Sequence, residues 1–335
     1  MSDFPDSNPG EPDNLPPDDS ADRDATGVSL SGPERPAAYD SQLAQTEPAS
    51  EETPLFQSWQ RPQIRPPERI PNFGHLALLI PLLLLGVIAA AVLFVVGVRT
   101  HLFGVTSLQQ AGNEIHFILG MEGLIYLFTF EAAVLVFPLF WHKSLLAGLQ
   151  WNGATALRLS SRLVSAAFVC FLLAWLNGVL MPGPTNTPIE KVFKTPGAAW
   201  LLFGFGVTFA PFFEEMFFRG FLLPSLCTAY DWFAEKATGD PMRPLDDSGH
   251  PQWSFTAMIV GSIATSIPFA WMHAEQTGYS LGPFLLLVGV SLVLCAVRLS
   301  TRSLACSVAV HACYNFLLFS LMMVATGGFR HLDKM

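Results

Sequence analysis

Residues 212–220 read FFEEMFFRG, which places two adjacent carboxylates and an arginine inside an apolar stretch of helical length. A charged side chain at the centre of a membrane helix costs about 2.5–3.5 kcal/mol on insertion scales, so three charges this close together need a compensating reason. The usual reason is chemistry or transport in a polar pocket that neighbouring helices enclose. The stretch therefore predicts a helical membrane protein with a functional pocket, to which other intramembrane polar residues contribute.

The composition of the whole chain is that of a multi-pass membrane protein. Of its 335 residues, 51% are hydrophobic and 13% are charged, and a soluble domain is rarely so apolar. The net charge of −9 belongs to the N-terminus, because residues 1–55 hold 13 acidic and 2 basic residues and leave +2 for the remainder. This distribution gives no support for nucleic-acid binding. The five cysteines lack CxxC spacing, so neither a disulfide framework nor a zinc ribbon is expected.

Apolar runs of about 20 residues, the length that spans a bilayer, define the organisation of the chain. Seven such runs are predicted, near 74–97, 117–140, 163–181, 197–224, 255–273, 281–298 and 303–325. The expected fold is all-α, a membrane bundle of about seven to eight transmembrane helices. The polar stretch 226–253 is expected to begin with a short interfacial helix, through Lys236, and to continue as a loop.

The chain divides into four regions on this pattern. Residues 1–72 are predicted to be a disordered, acidic, Pro-rich cytoplasmic tail, because they contain too few bulky apolar residues to offset the entropy of ordering. Residues 73–141 hold the N-terminal transmembrane helices, 142–326 the domain that carries the polar pocket, and 327–335 a C-terminal tail. The N-terminus lacks a basic region followed by an apolar one, so no cleavable signal peptide is predicted.

The distribution of lysine and arginine favours a cytoplasmic N-terminus, since cytoplasmic flanks carry an excess of both. In that orientation ten basic residues lie on cytoplasmic flanks and five on the opposite side. The cytoplasmic ten are Arg61, Arg65, Arg69, Lys143, Arg158, Arg162, Lys236, Arg243, Arg298 and Arg302; the other five are Arg99, Lys191, Lys194, Arg330 and Lys334. The expected location is the plasma (inner) membrane.

The fourth run carries the charges of the opening stretch. Glu215 and Arg219 are four residues apart, so on a helix they share a face and can form an ion pair. Glu214 points about 100° away from Glu215 and has no local cation left once Arg219 is taken. This division suits catalysis, because one carboxylate is structural while its neighbour is free to handle a proton. A purely structural ion pair between helices is the alternative.

Two other runs also carry a pair of residues on one helical face. Phe269 and His273 are four apart in the fifth run, where Pro268 is expected to kink the helix and open backbone carbonyls to a cavity. His311 and Asn315 are four apart inside the last run. Each histidine alone has an ordinary structural explanation, as an interfacial anchor or as part of a hydrogen-bonded core pair. Together, the three pairs predict one site where three helices converge.

The second run contains two acidic residues, Glu122 and Glu131, nine positions apart. That spacing brings them to one helical face only approximately. Glu131 is expected either to serve the pocket or, in preference, to bond a neighbouring helix.

The three motifs stand in a fixed order along the chain. They are Glu-Glu-x-x-x-Arg (214, 215, 219), Phe-x-x-x-His (269, 273) and His-x-x-x-Asn (311, 315). In this order the chain resembles the CAAX prenyl protease 2-like family, the CAAX protease and bacteriocin-processing (CPBP, or ABI) membrane endopeptidases. Pro211 and the run Arg219-Gly220-Phe221 agree with the family's signature on its fourth span. The resemblance covers about residues 140–325 and marks 142–326 as a CAAX protease-like domain.

The resemblance implies an intramembrane endopeptidase that cuts membrane-associated, prenylated or otherwise processed peptides near the cytoplasmic face. Carried over residue by residue, it implies that Glu214 and His273 activate water and that Glu215 and Arg219 orient them. His311 and Asn315 would stabilise the oxyanion, and Phe269 is a candidate substrate-binding residue. The polar segment after Arg219 is longer than is usual in the family, and the acidic tail is extra, so the substrate range stays open.

A metal-free, glutamate-type mechanism is the favoured expectation for such a site. A divalent metal such as zinc, held by Glu214, His273 and His311, is the alternative, because two imidazoles and a carboxylate form a common open zinc site. The expected partners are membrane lipid and a peptide or protein substrate reached from the membrane, with no nucleic acid.

Other functional classes fit the sequence less well. A membrane transporter also needs buried carboxylates and histidines, but no pair of interrupted half-helices appears in matching positions. A catalytically silent scaffold has no need of an unpaired Glu214. The HExxH helix of site-2-type metalloproteases is missing, and a serine mechanism based on Ser291 and His311 leaves both glutamates unexplained.

Overall fold

The computed structural model describes residues 69–181, 187, 197–246 and 249–330, with Phe103 described by its backbone alone. Residues 1–68 and 331–335 lie outside the described residues, so the predicted disordered tail of 1–72 and the C-terminal tail stay predictions. Within the described residues, regular structure is helical apart from one isolated bridge between Leu245 and Pro251. This confirms the all-α fold.

Twelve α-helices make up the described chain. They are α1 (Phe73–Arg99), α2 (Leu108–Asn113), α3 (Ile115–Trp141), α4 (Leu145–Gly148), α5 (Gly153–Arg158), α6 (Ser160–Leu180), α7 (Ala198–Val207), α8 (Phe209–Glu215), α9 (Leu223–Thr238), α10 (Phe255–Met272), α11 (Leu281–Thr301) and α12 (Leu304–Ala325). A 3₁₀ turn, Leu102–Gly104, follows α1, and a π-helical turn, Met216–Leu222, joins α8 to α9.

Seven segments of the described chain are long and apolar enough to cross a membrane: α1, α3, α6, the continuous run 198–238, α10, α11 and α12. The chain is therefore a multi-pass integral membrane protein, as predicted. Side chains such as Leu135, Leu139, Val179 and Val324 are more than 60% exposed on these helices. Exposed apolar side chains on a spanning helix are solvated by lipid tails rather than by water.

The fourth span differs from its predicted extent, because the chain stays helical beyond residue 224 to Thr238. Pro224 lies in the first turn of α9, and the carbonyl that its missing N–H would bond, that of Arg219, accepts from the Arg298 side chain instead. The proline therefore does not end the helix, and α9 carries the polar residues that were expected to form a separate interfacial helix.

Three of the groups of buried side chains hold together the helices on either side of the π turn. Leu79 of α1 packs with Phe137 and Trp141 of α3 and with Phe221 of the π turn. A second group, which includes Leu163, Leu294 and Val310, joins α6, α11 and α12. A third joins α9, α10 and α11 around Leu223, Cys227, Ala257 and Cys295. These contacts fix the π turn between the N-terminal helices and the helices that follow it.

Close approach of α9 and α10 depends on a glycine. A Cβ atom at Gly261 would lie 2.6 Å from Sγ of Cys227, closer than packed atoms allow. The small residue lets the two helices approach to backbone distance, as is common between membrane helices.

One buried ion pair joins the start of α1 to the end of α9. Nη2 of Arg69 lies 2.7 Å from Oε1 of Glu235, and the two side chains are 8% and 11% exposed. The same glutamate oxygen accepts the backbone N–H of Arg243. The beginning of the first span and the end of the fourth therefore lie at the same end of the bundle.

Candidate active site

The π-helical turn determines how the charges of the opening stretch are presented. The Leu223 N–H reaches back five residues to the Phe218 carbonyl, one residue further than in an α-helix. Such π turns occur mostly as single insertions within α-helices, and they are frequent at functional sites. Glu214 and Glu215 come at the end of α8, and Arg219 lies within the turn that follows.

Arg219 and Glu215 form a fully buried ion pair, as the i, i+4 spacing predicted. Nη1 of Arg219 donates to Oε1 of Glu215 over 2.9 Å, and both side chains are 0% exposed. Nη2 of Arg219 donates to Oγ of Ser291 over 2.7 Å and to the Ser291 carbonyl over 3.2 Å. A buried charge pair needs such additional hydrogen bonds to offset its desolvation. The Ser291 hydroxyl is thus engaged with Arg219 in the protein interior, which argues against a nucleophilic role.

Phe269 lies behind the charged cluster instead of facing an open surface. Its ring is 1% exposed, and the Arg219 guanidinium lies 4.5 Å from the ring centroid, a cation–π geometry. The imidazoles of His273 and His311 lie 5.1 and 5.9 Å from the same centroid. Phe269 therefore supports both histidines and the arginine, and its contact with substrate stays a prediction.

Glu214 converges with both predicted histidines. Its Oε2 atom lies 3.8 Å from Nε2 of His273 and 3.9 Å from Nε2 of His311. Those separations are too long for direct hydrogen bonds, and among the described residues this buried oxygen has no hydrogen-bond partner. Polar groups at such a separation can be connected by a bridging water.

The second ring nitrogen of each histidine fixes which atom faces Glu214. Nδ1 of His273 lies 2.9 Å from the Phe269 carbonyl, which can only accept, so Nδ1 carries a proton. Nδ1 of His311 lies 3.0 Å from Oε1 of Glu215, the carboxylate already paired with Arg219, so this nitrogen also donates. In neutral His273, Nε2 is then an acceptor directed at the space beside Glu214.

Asn315 is placed on the same helix but bonds elsewhere. Its Nδ2 donates to the Gly206 carbonyl of α7 over 2.7 Å. The side chain therefore links α12 to the helix that leads into α8. An amide nitrogen has two hydrogens, so one N–H is left after this bond.

An apolar cavity of about 190 Å³ opens beside Glu214. Helices α1, α3, α8 and α10 and the π turn contribute to its wall, which is formed by Leu79, Leu83, Tyr126, Thr129, Phe213, Glu214, Met216, Phe217, Phe218 and Met272. Apart from the glutamate, its polar atoms come from Tyr126 and Thr129. The cavity gives an apolar group direct access to the free carboxylate.

The donor atoms of Glu214, His273 and His311 are of the kinds that zinc accepts. Within the described ranges, however, no group of three or more His, Cys, Asp or Glu side chains has the arrangement of a metal site. The observed side-chain positions thus do not fit the metal alternative.

Arg298 is a site residue that the sequence did not reveal, since it was counted among the charges flanking the membrane. Its side chain is 2% exposed, and its Nε donates to the Arg219 carbonyl over 3.2 Å. In the π turn the Leu223 N–H bonds to the Phe218 carbonyl, so the donor for the next carbonyl, that of Arg219, would be residue 224. That residue is Pro224, which has no N–H. Arg298 supplies the missing donor. The available signal was that Ser291 and Arg298 are seven apart and so share one face of α11.

Arg298→Met is expected to lower the free energy of unfolding by about 1–3 kcal/mol, because it leaves the buried Arg219 carbonyl without a donor. It also removes the bonds from Nη2 to Gln150 Oε1 and to the Leu149 carbonyl. Thermal unfolding in detergent measures the change. Arg302→Met is the matched control, because Arg302 is 57% exposed and pairs with Asp246, and exposed pairs contribute about 0–1 kcal/mol. Equal losses in the two variants would contradict the assignment.

Comparison with known families agrees with this geometry. Residues 196–317 match the model of the family described as type II CAAX prenyl endopeptidase Rce1-like. The match includes the π turn, α10, α11 and the part of α12 that carries His311 and Asn315. Neither the curated proteins nor the solved structures contain a significant match to the chain. Residues 196–317 are therefore a domain of the Rce1-like family of type II CAAX prenyl endopeptidases.

Proposed function

We propose that this protein is a glutamate-type intramembrane endopeptidase in which Glu214 and His273 activate a water molecule. The observation that carries the proposal is the position of Glu214 Oε2, which is buried, has no hydrogen-bond partner within the described part of the chain, and lies 3.8 Å from Nε2 of His273. Both atoms are acceptors, so together they match the two hydrogens of one water. A positioned carboxylate within reach of a water is the arrangement needed for general-base hydrolysis.

His311 is assigned the opposite electrostatic role, that of a donor toward the developing oxyanion. This role requires a proton on both ring nitrogens of His311. His311 then donates from Nδ1 to Glu215 and presents an Nε2–H beside Glu214 Oε2. The remaining N–H of Asn315 is the second candidate donor. One such donor contributes about 2.7–4 kcal/mol of transition-state stabilisation.

The proposed reaction balances as ordinary amide hydrolysis. Glu214 accepts a proton from water as the water oxygen bonds to the peptide carbonyl carbon, and His311 and Asn315 stabilise the resulting oxyanion. When the carbon–nitrogen bond breaks, the proton held by Glu214 passes to the leaving amine. Glu215 and Arg219 do not touch the reacting atoms in this scheme and serve to position His311.

The proposed substrate is a peptide presented from the membrane, and its membrane-bound group lies in the apolar cavity beside Glu214. Prenylated C-terminal peptides are the first class to test, because the family domain is that of CAAX prenyl endopeptidases. We further propose a cytoplasmic N-terminus in the plasma (inner) membrane. In that orientation the ion pairs Arg69–Glu235 and Arg302–Asp246 join segments assigned to the same side.

The test is a cleavage assay with purified protein in liposomes and a farnesylated peptide ending in a CAAX sequence. Release of the C-terminal tripeptide, detected by mass spectrometry, is the expected result. The unprenylated peptide is the matched control and is expected to react more slowly, because it lacks the group that fills the cavity. Uptake of a solute by the same liposomes, with no peptide cleaved, would favour a transporter instead.

Treatment with a chelator separates the two candidate mechanisms. The rate of cleavage is expected to be unchanged after EDTA or 1,10-phenanthroline, because the proposed water activation uses Glu214 and His273 alone. Loss of cleavage with a chelator, restored by added zinc, would contradict the metal-free mechanism.

A further inference from the structure

A second carboxylate, Glu122, lies outside the family domain and next to a wall residue of the cavity beside Glu214. It lies on α3, which precedes the matched residues 196–317. Its Oε1 accepts the Tyr126 hydroxyl over 2.8 Å, and Tyr126 is one of the residues that form that wall. An ionisable residue in a membrane span marks a functional site by default and calls for a named partner.

Tyr126 connects this carboxylate to the catalytic cavity. Its ring is part of the cavity wall together with Glu214, and it stacks on Phe213 with 4.9 Å between ring centroids. Phe213 directly precedes Glu214. The ring of Tyr126 thus packs against the residue that precedes Glu214, the proposed general base. Its hydroxyl orients the Glu122 carboxylate, one helical turn away.

The electrostatics of the cavity favour a cation. The described residues of its wall include one carboxylate, Glu214, and neither lysine nor arginine, while Arg219 is committed to Glu215 and Ser291. Glu122, bonded to Tyr126 of this wall, adds a carboxylate that pairs with no lysine or arginine among the described residues. In an apolar setting, such an arrangement attracts a positive group more strongly than in water.

We propose that Glu122, oriented by Tyr126, is a specificity-determining residue that binds a basic side chain of the substrate peptide close to the bond that is cut. The inference rests on the proposed endopeptidase function. Glu122 does not touch the reacting atoms in this role and selects among peptides. A substrate cation bound at Glu122 satisfies the negative charge of this carboxylate, which has no lysine or arginine partner among the described residues.

The test uses farnesylated peptides with one lysine moved along the residues that precede the prenylated cysteine, each paired with a norleucine peptide. Norleucine keeps the apolar stem of lysine and removes its charge. At one position wild type is expected to prefer lysine by about 10- to 100-fold in kcat/KM, the range of a hydrogen bond to a charged group. Glu122→Gln is expected to abolish that preference, and Glu122→Lys to shift it toward a glutamate peptide.

Two measurements keep the test independent of stability and of catalysis. Glu131→Gln is the matched control, because Glu131 is exposed on the same helix, and it is expected to keep the preference for lysine. Binding of the same fluorescent peptides to Glu214→Gln, measured by anisotropy, reports the subsite without any cleavage. If that Glu214 variant cuts peptide at the wild-type rate, the proposed mechanism fails, whatever the lysine preference.

An unchanged ratio between lysine and norleucine peptides in Glu122→Gln, in cleavage and in binding, would overturn the proposal. An equal loss of cleavage on all peptides, together with a shifted pH profile, would also overturn the proposal. That pattern would indicate that Glu122 exchanges a proton with Glu214 and does not select the peptide. Tyr126→Phe is expected to weaken the preference without abolishing it, because it frees the carboxylate but leaves its charge.

Discussion

Glu214→Gln is expected to lower the rate of peptide cleavage by about 10²–10⁴-fold, the range that a positioned general base contributes. Glutamine has nearly the same shape and stays beside His273 and His311, but its amide cannot take a proton from water. Since Glu214 Oε2 has no hydrogen-bond partner among the described residues, the variant breaks no bond that holds the fold. The loss should therefore appear in kcat, with the melting temperature in detergent almost unchanged.

Glu131→Gln is the control for the Glu214 variant, because it makes the same chemical change on an exposed face of α3. It is expected to cleave at the wild-type rate. His273→Gln tests the other half of the arrangement and is expected to lose activity as well, since it removes the second acceptor for the water. Full cleavage by Glu214→Gln would refute the mechanism, and full cleavage by His273→Gln would leave Glu214 as the only base.

Most of the fold could be predicted from the sequence, because the signal is simple. A spanning helix needs about 20 apolar residues, and each of the seven predicted runs falls on a candidate span. The end of the fourth run was the exception, because the apolar pattern stops there while the helix continues to Thr238. It continues through the π turn, and a backbone register of that kind leaves no pattern in the apolar residues.

The candidate site could be predicted in part, where its residues lie four apart on one helix. The spacing of Glu215 and Arg219 predicted an ion pair that the structure contains. Partners across helices were not predictable in this way. Ser291 and Arg298 meet the π turn from α11 only because of how the helices pack, and Arg298 had the same appearance in sequence as a charge at the membrane surface.

The acidic residues of the second span show the same limit. Their spacing placed Glu122 and Glu131 on one helical face only approximately. Glu131 was expected either to serve the pocket or to bond a neighbouring helix. In the structure Glu131 is exposed, whereas Glu122 is held by Tyr126 near the candidate site. The rotation of α3 about its axis, set by packing against α1, decides between the two, and periodicity does not reveal that angle.

Arg219→Met is expected to destabilise the protein by about 3–5 kcal/mol, the cost of removing one partner of a buried ion pair. Glu215 would remain fully buried without its cation, and its bond to Nδ1 of His311 would carry the whole compensation. The contacts of the guanidinium with Ser291 and Phe269 are lost at the same time. Unfolding by SDS in mixed micelles is the measurement, and cleavage is expected to fall with the folded fraction and beyond it.

The double variant Arg219→Met with Glu215→Gln separates the charge from the packing. Removing both charges leaves no isolated buried carboxylate, so the double variant is expected to be more stable than Arg219→Met alone. It should nevertheless stay inactive, because a neutral glutamine no longer holds His311 as a charged donor. Arg219→Lys keeps the charge but cannot reach Glu215 and Ser291 at once through a planar fork, and intermediate stability is expected. If the double variant were less stable than Arg219→Met, the loss would come from packing around Phe269, and the buried charge would not be its cause.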